Sequence, residues 1–299
     1  MDIITHAGIG LIAAAPVLDS RPELALGLVA GSVLPDLDAL GRVFGKRAFL
    51  RSHQTWSHAI PVQGAVTVLA GVFARACGAD GLLLSAGLFA GLVIHSLLDF
   101  SNTLGVTLLA PFSRKRFCLE WVFFIDAFVL TLTFIMAVIS LWLFYRNGIV
   151  PISYAGIFFG TMAIYFGAKG LLRRRAGAHA TDAITLMPSA LWPCRFFGIE
   201  ECGNCVRRFQ MNAITGSKKA LAQQEVFDQA YAGLLAKVPE FMLMRGLSPA
   251  YHVVSAKKTE SGELLVCRDL RTRNFGTVYG DLEVLLDKNN GVLRTTFHV

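Results

Sequence analysis

Four apolar runs, Ile60–Cys77, Leu82–Leu98, Trp121–Tyr145 and Ile149–Gly170, constrain this chain more than any other feature. Each comes near the roughly 20 residues that a helix needs to cross a bilayer. Hydrophobic residues make up 54% of the 299 positions and charged residues only 16%, and the mean hydropathy is +0.53. An ordinary soluble globule is thereby excluded in favour of a membrane class. Two shorter stretches, Ala7–Leu18 and Leu24–Leu34, flank the polar turn Asp19-Ser20-Arg21-Pro22. Their length fits a buried helical hairpin better than two further full spans. Gly87 and Gly91 stand at GxxxG spacing, which lets a neighbouring helix come close.

Orientation follows from the basic loops. Arg42, Lys46, Arg47 and Arg51 precede the first run, Arg114, Lys115 and Arg116 follow the second, and Arg173–Arg175 follow the fourth. With four spans all three clusters share one face, which the positive-inside rule assigns to the cytoplasm together with both termini. The net charge of +7 is thus a topology signal, and no nucleic-acid partner is expected. The segment before Arg21 lacks a basic n-region, so no signal cleavage is expected.

Beyond about residue 178 the composition changes to that of a soluble domain. Helical spacing runs over Ser217–Val238, while Tyr251–Ala256, Glu263–Cys267, Gly276–Leu286 and Val292–His298 read as strands, with Asn289-Asn290-Gly291 as a hairpin turn. The fold expected is mainly α: a polytopic membrane helical bundle over 1–178, about four spans plus the N-terminal hairpin, and a small cytoplasmic α+β domain over 179–299.

Ionisable residues are scarce in the apolar part, and their placement is informative. His6 begins the hairpin, Asp36 and Asp38 end it, His53 and His58 lie in the next loop, and His95 and Asp99 close the second run. In the expected topology all of them meet at the cytoplasmic interface. His95 and Asp99 are four apart and share a helix face, as a metal-binding pair would; taken alone, a helix-end hydrogen bond explains them equally well. Asp36 and Asp38 taken alone read as a helix cap, and a lone histidine as structural. Four histidines converging with carboxylates in so apolar a chain favour a metal site, because intramembrane ionisable groups are costly. Asp126 lies inside the third run, where facing lipid would cost about 2.5–3.5 kcal/mol, and is expected to face the cluster as a ligand or as a partner of one. Glu120 is an interfacial charge or a base. The donors suit Zn, Mn or Fe, one to three ions.

At these residues the sequence resembles the YdjM-type family, described as membrane-bound metal-dependent hydrolases, some members being LexA-binding inner-membrane proteins. The matching segments are THAGIG around His6, GSVLPDLD around Asp36 and Asp38, HQTWSH around His53 and His58, HSLLDFSNTLGVTLLAPFS around His95 and Asp99, and WVFFIDAF around Asp126. Ala127 stands where the family motif has proline. The resemblance implies a bacterial inner-membrane location and hydrolase activity, with His6, Asp36, His53, His58, His95, Asp99 and Asp126 as metal ligands and Asp38 or Glu120 taking a proton from water. A phosphoester of a lipid or lipid-linked metabolite is the expected substrate class. The rival expectation is a non-catalytic protein whose metal fixes the helices and whose C-terminal domain binds a LexA-like regulator. Transport ranks last, since the spans carry mainly Gly, Ser and Thr beyond the cluster.

Six scattered cysteines read as reduced thiols. Cys202 and Cys205 form a lone CxxC that, with Cys194 and His252, offers a weaker structural-zinc reading.

Overall fold

The computed structural model describes residues 1–45, 55–113, 115–260, 262–271, 280–289 and 291–298. Among the described residues six α-helices make up the apolar part: α1 (Ile3–Ala14), α2 (Pro22–Val33), α3 (Ile60–Ala76), α4 (Gly81–Ser101), α5 (Ala127–Asn147) and α6 (Ile152–His179). Their starts follow local chemistry. Asp2, Asp80 and Asp126 cap α1, α4 and α5 by accepting first-turn backbone N–H groups, and Pro22 and Pro61 open α2 and α3 where no N–H is needed.

Among the described residues four apolar helical stretches are long enough to cross a membrane: Pro22–Gly41, Gly81–Ser101, Ala127–Asn147 and Ile152–His179. This set differs from the sequence expectation. Pro35 does not end the second hairpin helix; the chain tightens there into a 3-10 run, Leu34–Phe44, which keeps it helical. The expected first span is the 17-residue α3, which with Ile3–Val17 belongs to the shorter apolar helices. Residues 121–126 of the expected third span are not helical.

Packing sets the helix directions. A Cβ added at Gly27 or Gly31 would strike the carbonyl oxygens of Leu84 or Leu88, and one at Gly87 or Gly91 those of Leu24 or Leu28. Two GxxxG pairs therefore interlock backbone on backbone, and the rising numbers on both sides make α2 and α4 parallel. Between them in the chain, α3 packs on α4 and runs the opposite way: Gln63 near its start donates to Ser96 Oγ at 2.8 Å, while Gly71 near its end abuts Gly81. Helix α1 is antiparallel to α2, with Gly10 against Ser32. Tyr165 meets Asp126 at 2.9 Å and Tyr154 meets the Met136 carbonyl at 3.4 Å, so α6 is antiparallel to α5. Ile9, Ile12, Leu98, Val129, Met136, Phe158 and Met162 form the core. Phe134, Leu141, Trp142 and Ile164 stay exposed, as lipid-facing side chains would.

The chain divides into two compact units, Met1–Leu171 with Ser189–Pro193, and Leu172–Pro188 with Cys194–Val299. The second holds two four-stranded antiparallel meanders, β1 (Ala183–Pro188) to β4 (Lys218–Glu225) through β2 (Arg195–Cys202) and β3 (Cys205–Asn212), and β5 (Tyr251–Thr259) to β8 (Val292–His298) through β6 (Gly262–Asp269) and β7 (Asp281–Leu286). Only two short helices, α7 (Ala232–Leu235) and α8 (Pro239–Leu247), separate them, so the expected α+β domain is chiefly β. The helix expected over Ser217–Val238 is corrected: Lys218–Glu225 pairs with β3 in register from Met211↔Lys218 to Cys205↔Glu225. Ladder pairing there overrides the helix propensity of Lys, Ala, Leu and Gln. The four expected strands lie within β5 to β8, with positions 276–279 outside the described residues. Cys202 and Cys205 are joined by a disulfide across the β2–β3 turn, which replaces the reduced-thiol and zinc readings of that pair.

Candidate metal centre

Helix ends deliver the cluster. His6 lies one turn into α1, Asp36 and Asp38 follow Pro35 in the 3-10 run, His58 lies two residues before α3, and His95 and Asp99 share a face near the end of α4. One ligand atom each from His6, Asp36, His95 and Asp99 lies within 4.8 Å of all the others. Their exposures are 0, 8, 0 and 0%, so water does little to offset their mutual repulsion.

The hydrogen bonds assign the protons. His95 Nδ1 lies 2.8 Å from the Ser32 carbonyl oxygen, which can only accept, so Nδ1 carries hydrogen and Nε2 of the neutral ring is a lone pair. Ser57 Oγ donates to Asp38 Oδ2 at 2.6 Å and lies 2.9 Å from His58 Nδ1, which must then donate to it. His58 Nε2 consequently presents a second lone pair, 3.0 Å from His95 Nε2 and 3.0 Å from Asp99 Oδ2. Asp36 Oδ1 and Asp99 Oδ2 lie 3.7 and 3.6 Å from His95 Nε2, and His6 Nε2 is 3.2 Å from Asp99 Oδ1. Acceptors at these separations repel unless a positive charge sits among them, and ligands around one ion stand about 3–3.5 Å apart at ordinary bond lengths. The four residues could therefore hold a metal ion, and nitrogen and oxygen donors without thiolate suit a divalent one. His6 Nδ1 is buried without a hydrogen-bond partner among the described residues. Its ring stacks on His95 at 3.7 Å between centroids, and the Met1 amino group contacts Asp99 Oδ1.

Other expected residues lie differently. His53 falls outside the described residues. Asp126 is not among the four: its carboxylate caps α5, accepts from the Tyr165 hydroxyl and faces Lys169 Nζ at 3.7 Å. Lys169 and Asp126 are 0 and 2% exposed, so this buried carboxylate has a buried lysine facing it. Glu120 is half-buried with φ of 52°, and its backbone N–H reaches the Asn102 carbonyl at 3.3 Å. Ser57, Ser32 and Asn102, whose amide donates to Asp99 at 3.1 Å, orient the charged groups. Sequence reasoning passed over them because neutral polar residues carry no cost signal in an apolar run, although Ser57 adjoins His58 and Asn102 follows the α4 pair.

Apolar helices of membrane length gathered around a buried His/Asp cluster define a membrane protein with a candidate metal centre. The chain belongs to the YdjM inner membrane protein family, whose model matches residues 1–176. It is similar to Bacillus subtilis (strain 168) "Uncharacterized protein YfhP", 26% identical over 176 residues, 55% of this chain and 53% of that one. The chain thus spans about half the length of the curated relative it matches. No solved structure matches it.

Proposed function

We propose that the membrane unit is a metal-dependent hydrolase acting on a phosphoester at the cytoplasmic lipid interface. The observation that carries this reading is the gathering of two imidazoles and two carboxylates within 4.8 Å in an apolar setting. His6, Asp36, His95 and Asp99 would hold the ion, zinc first and manganese or iron after it, with His58 as a further ligand through its Nε2. When bound, the ion would polarise a phosphoryl oxygen and make water a nucleophile at neutral pH. Asp38, hydrogen-bonded to Ser57 at 2.6 Å, is the first candidate to take the proton, and Glu120 the second. The Arg and Lys loops would attract an anionic substrate, and both termini would lie on the cytoplasmic side.

One observation favours a second reading. With all four ligands at 8% exposure or less, the centre is as closed as a structural one, whose ion ties α1, the 3-10 run and α4 together while the β module serves a protein partner. Metal analysis by mass spectrometry on detergent-purified wild type and on the His95→Ala/Asp99→Ala variant, with a phosphoester hydrolysis screen, separates the two. Metal and activity lost together support the hydrolase. Metal held by the wild type and lost from the variant, with no hydrolysis by the wild type, supports the structural role, and no metal in the wild type after reconstitution ends both.

A further inference from the structure

The β module carries a half-open pocket of about 200 Å³. Glu201, Asn204, Asp228, Gln229, Arg245 and His252 line it, beside apolar surface that includes Val226. His252 is 2% exposed, a degree of burial at which each ring nitrogen should have a partner. Nδ1 has one, Asp228 Oδ2 at 2.6 Å. Nε2 has no hydrogen-bond partner among the described residues.

The proton can be placed. Two lone pairs cannot approach to 2.6 Å, so either Nδ1 or Asp228 carries hydrogen. The Val253 N–H donates to Asp228 Oδ1 at 2.7 Å and Arg245 Nη1 stands 3.8 Å from Oδ2, both of which favour an accepting carboxylate. Asp228 is therefore a carboxylate and Nδ1 the donor. The 3.4 Å approach of Arg245 to Nδ1 is then only a close contact, and that guanidinium is anchored by the Tyr251 carbonyl at 2.6 Å. In the neutral ring Nε2 is a lone pair, held in orientation by Asp228, as a carboxylate orients a metal-ligating histidine.

Glu201 Oε1 stands 3.8 Å from Nε2, too far for a hydrogen bond. Arg245 is 3.9 Å from the same oxygen, so it does not occupy Glu201 by a hydrogen bond either. A ligand bridging the two acceptors sets their spacing. A tetrahedral ion bound at about 2.0–2.1 Å separates its ligands by about 3.4 Å, whereas an ammonium donating to both over about 2.9 Å separates them by about 4.7 Å. The observed spacing is nearer the ion. With the ring neutral, as ion binding requires, two carboxylates against one guanidinium also leave the cavity a net negative charge. The neighbouring sulfurs take no part, since Cys202 is bonded to Cys205 and strand alternation turns it to the face opposite Glu201.

We propose that His252 Nε2 and Glu201 hold a divalent transition-metal ion in this cavity, with Asp228 as the positioning residue and water or the amide oxygens of Asn204 and Gln229 filling the remaining positions. Imidazole with carboxylate suits zinc, cobalt or copper. This site is independent of the membrane cluster.

The test is a cobalt(II) titration of metal-free, detergent-solubilised full-length protein, followed by visible absorption. Wild type, Glu201→Gln, His252→Ala and Asp228→Asn are compared. The membrane cluster is intact in all four, so differences report the cavity alone, whatever that cluster binds. Glu201→Gln and His252→Ala should each bind one equivalent fewer than wild type, and Asp228→Asn should keep the equivalent with a Kd about 10- to 100-fold weaker. Glu201 is half-exposed on its side chain, at 48%, so its variant keeps the fold, which an unchanged Tm of the metal-free protein checks. The same number of equivalents at the same Kd in Glu201→Gln as in wild type overturns the proposal.

Discussion

Replacing His95 with alanine removes an imidazole from the cluster and leaves the Ser32 carbonyl without the donor that meets it at 2.8 Å. We expect a loss of about 1–3 kcal/mol for that buried acceptor alone, seen as a lower Tm in chelator, and a further fall relative to wild type when metal is supplied. Cys267 carries a pH prediction. Burial, reinforced by Asp228 and Asp281, pushes its thiol up to about 12 from an ordinary 9.0. The folded state thus holds this proton more tightly than the unfolded one. The stability it contributes is complete below about pH 9 and declines by about 1.4 kcal/mol per pH unit between there and 12. Alkylation at pH 9 read by mass spectrometry should mark the exposed Cys77 and Cys118 and leave Cys267 free until the module unfolds. At this scale the sequence exposed His6, Asp36, His95 and Asp99, because an ionisable side chain in an apolar run must have a reason. It could not anticipate the neighbours of Asp126, since Tyr165 lies 39 positions away and Lys169 sits in the last apolar run, where a cation reads as a boundary signal.

The parallel pair α2 and α4 makes a claim about helices. Gly31→Leu or Gly87→Val would push a side chain into the facing backbone, and overpacking of this kind costs about 1–3 kcal/mol. Because Ser32 follows Gly31 and holds His95, the same substitutions should also lower bound metal. Gly156→Leu, which meets open space, is the control and should change neither. Tm in detergent and metal content measure both effects, and an unaltered Gly31→Leu protein would show that the contact is dispensable. The Gly87/Gly91 half of this interlock was readable from spacing; its partner Gly27/Gly31 was hidden in a stretch judged by length alone. Helix existence followed from hydropathy, but ends did not, since Pro35 is absorbed by a 3-10 turn and Pro151 delays α6 to Ile152. In the β module the first three strands escaped notice because Phe196, Ile199, Val206 and Phe209 become a core only once the hairpins pair.

For the membrane unit as a whole, direction is decisive. Since α2 and α4 point the same way, a chain that crosses through both must return through α3, although its 17 residues span only about 26 Å, short of the ~30 Å core. We therefore predict that Cys77, at the far end of α3, and Cys118, whose neighbour Leu119 bonds to Phe100 beside the cluster, face opposite sides. A membrane-impermeant maleimide applied to spheroplasts should label Cys77 and spare Cys118; labelling of neither would mean that α3 does not cross. Synthesis imposes an order on the same architecture. His6 and Asp99 are 93 positions apart, so during translation His6 and Asp36 are made with the first two helices before their counterparts exist. The cluster can close only after α4 has left the ribosome and locked onto α2, which places any loading of an ion late in biogenesis and makes a nascent chain halted before residue 95 a natural substrate for quality control.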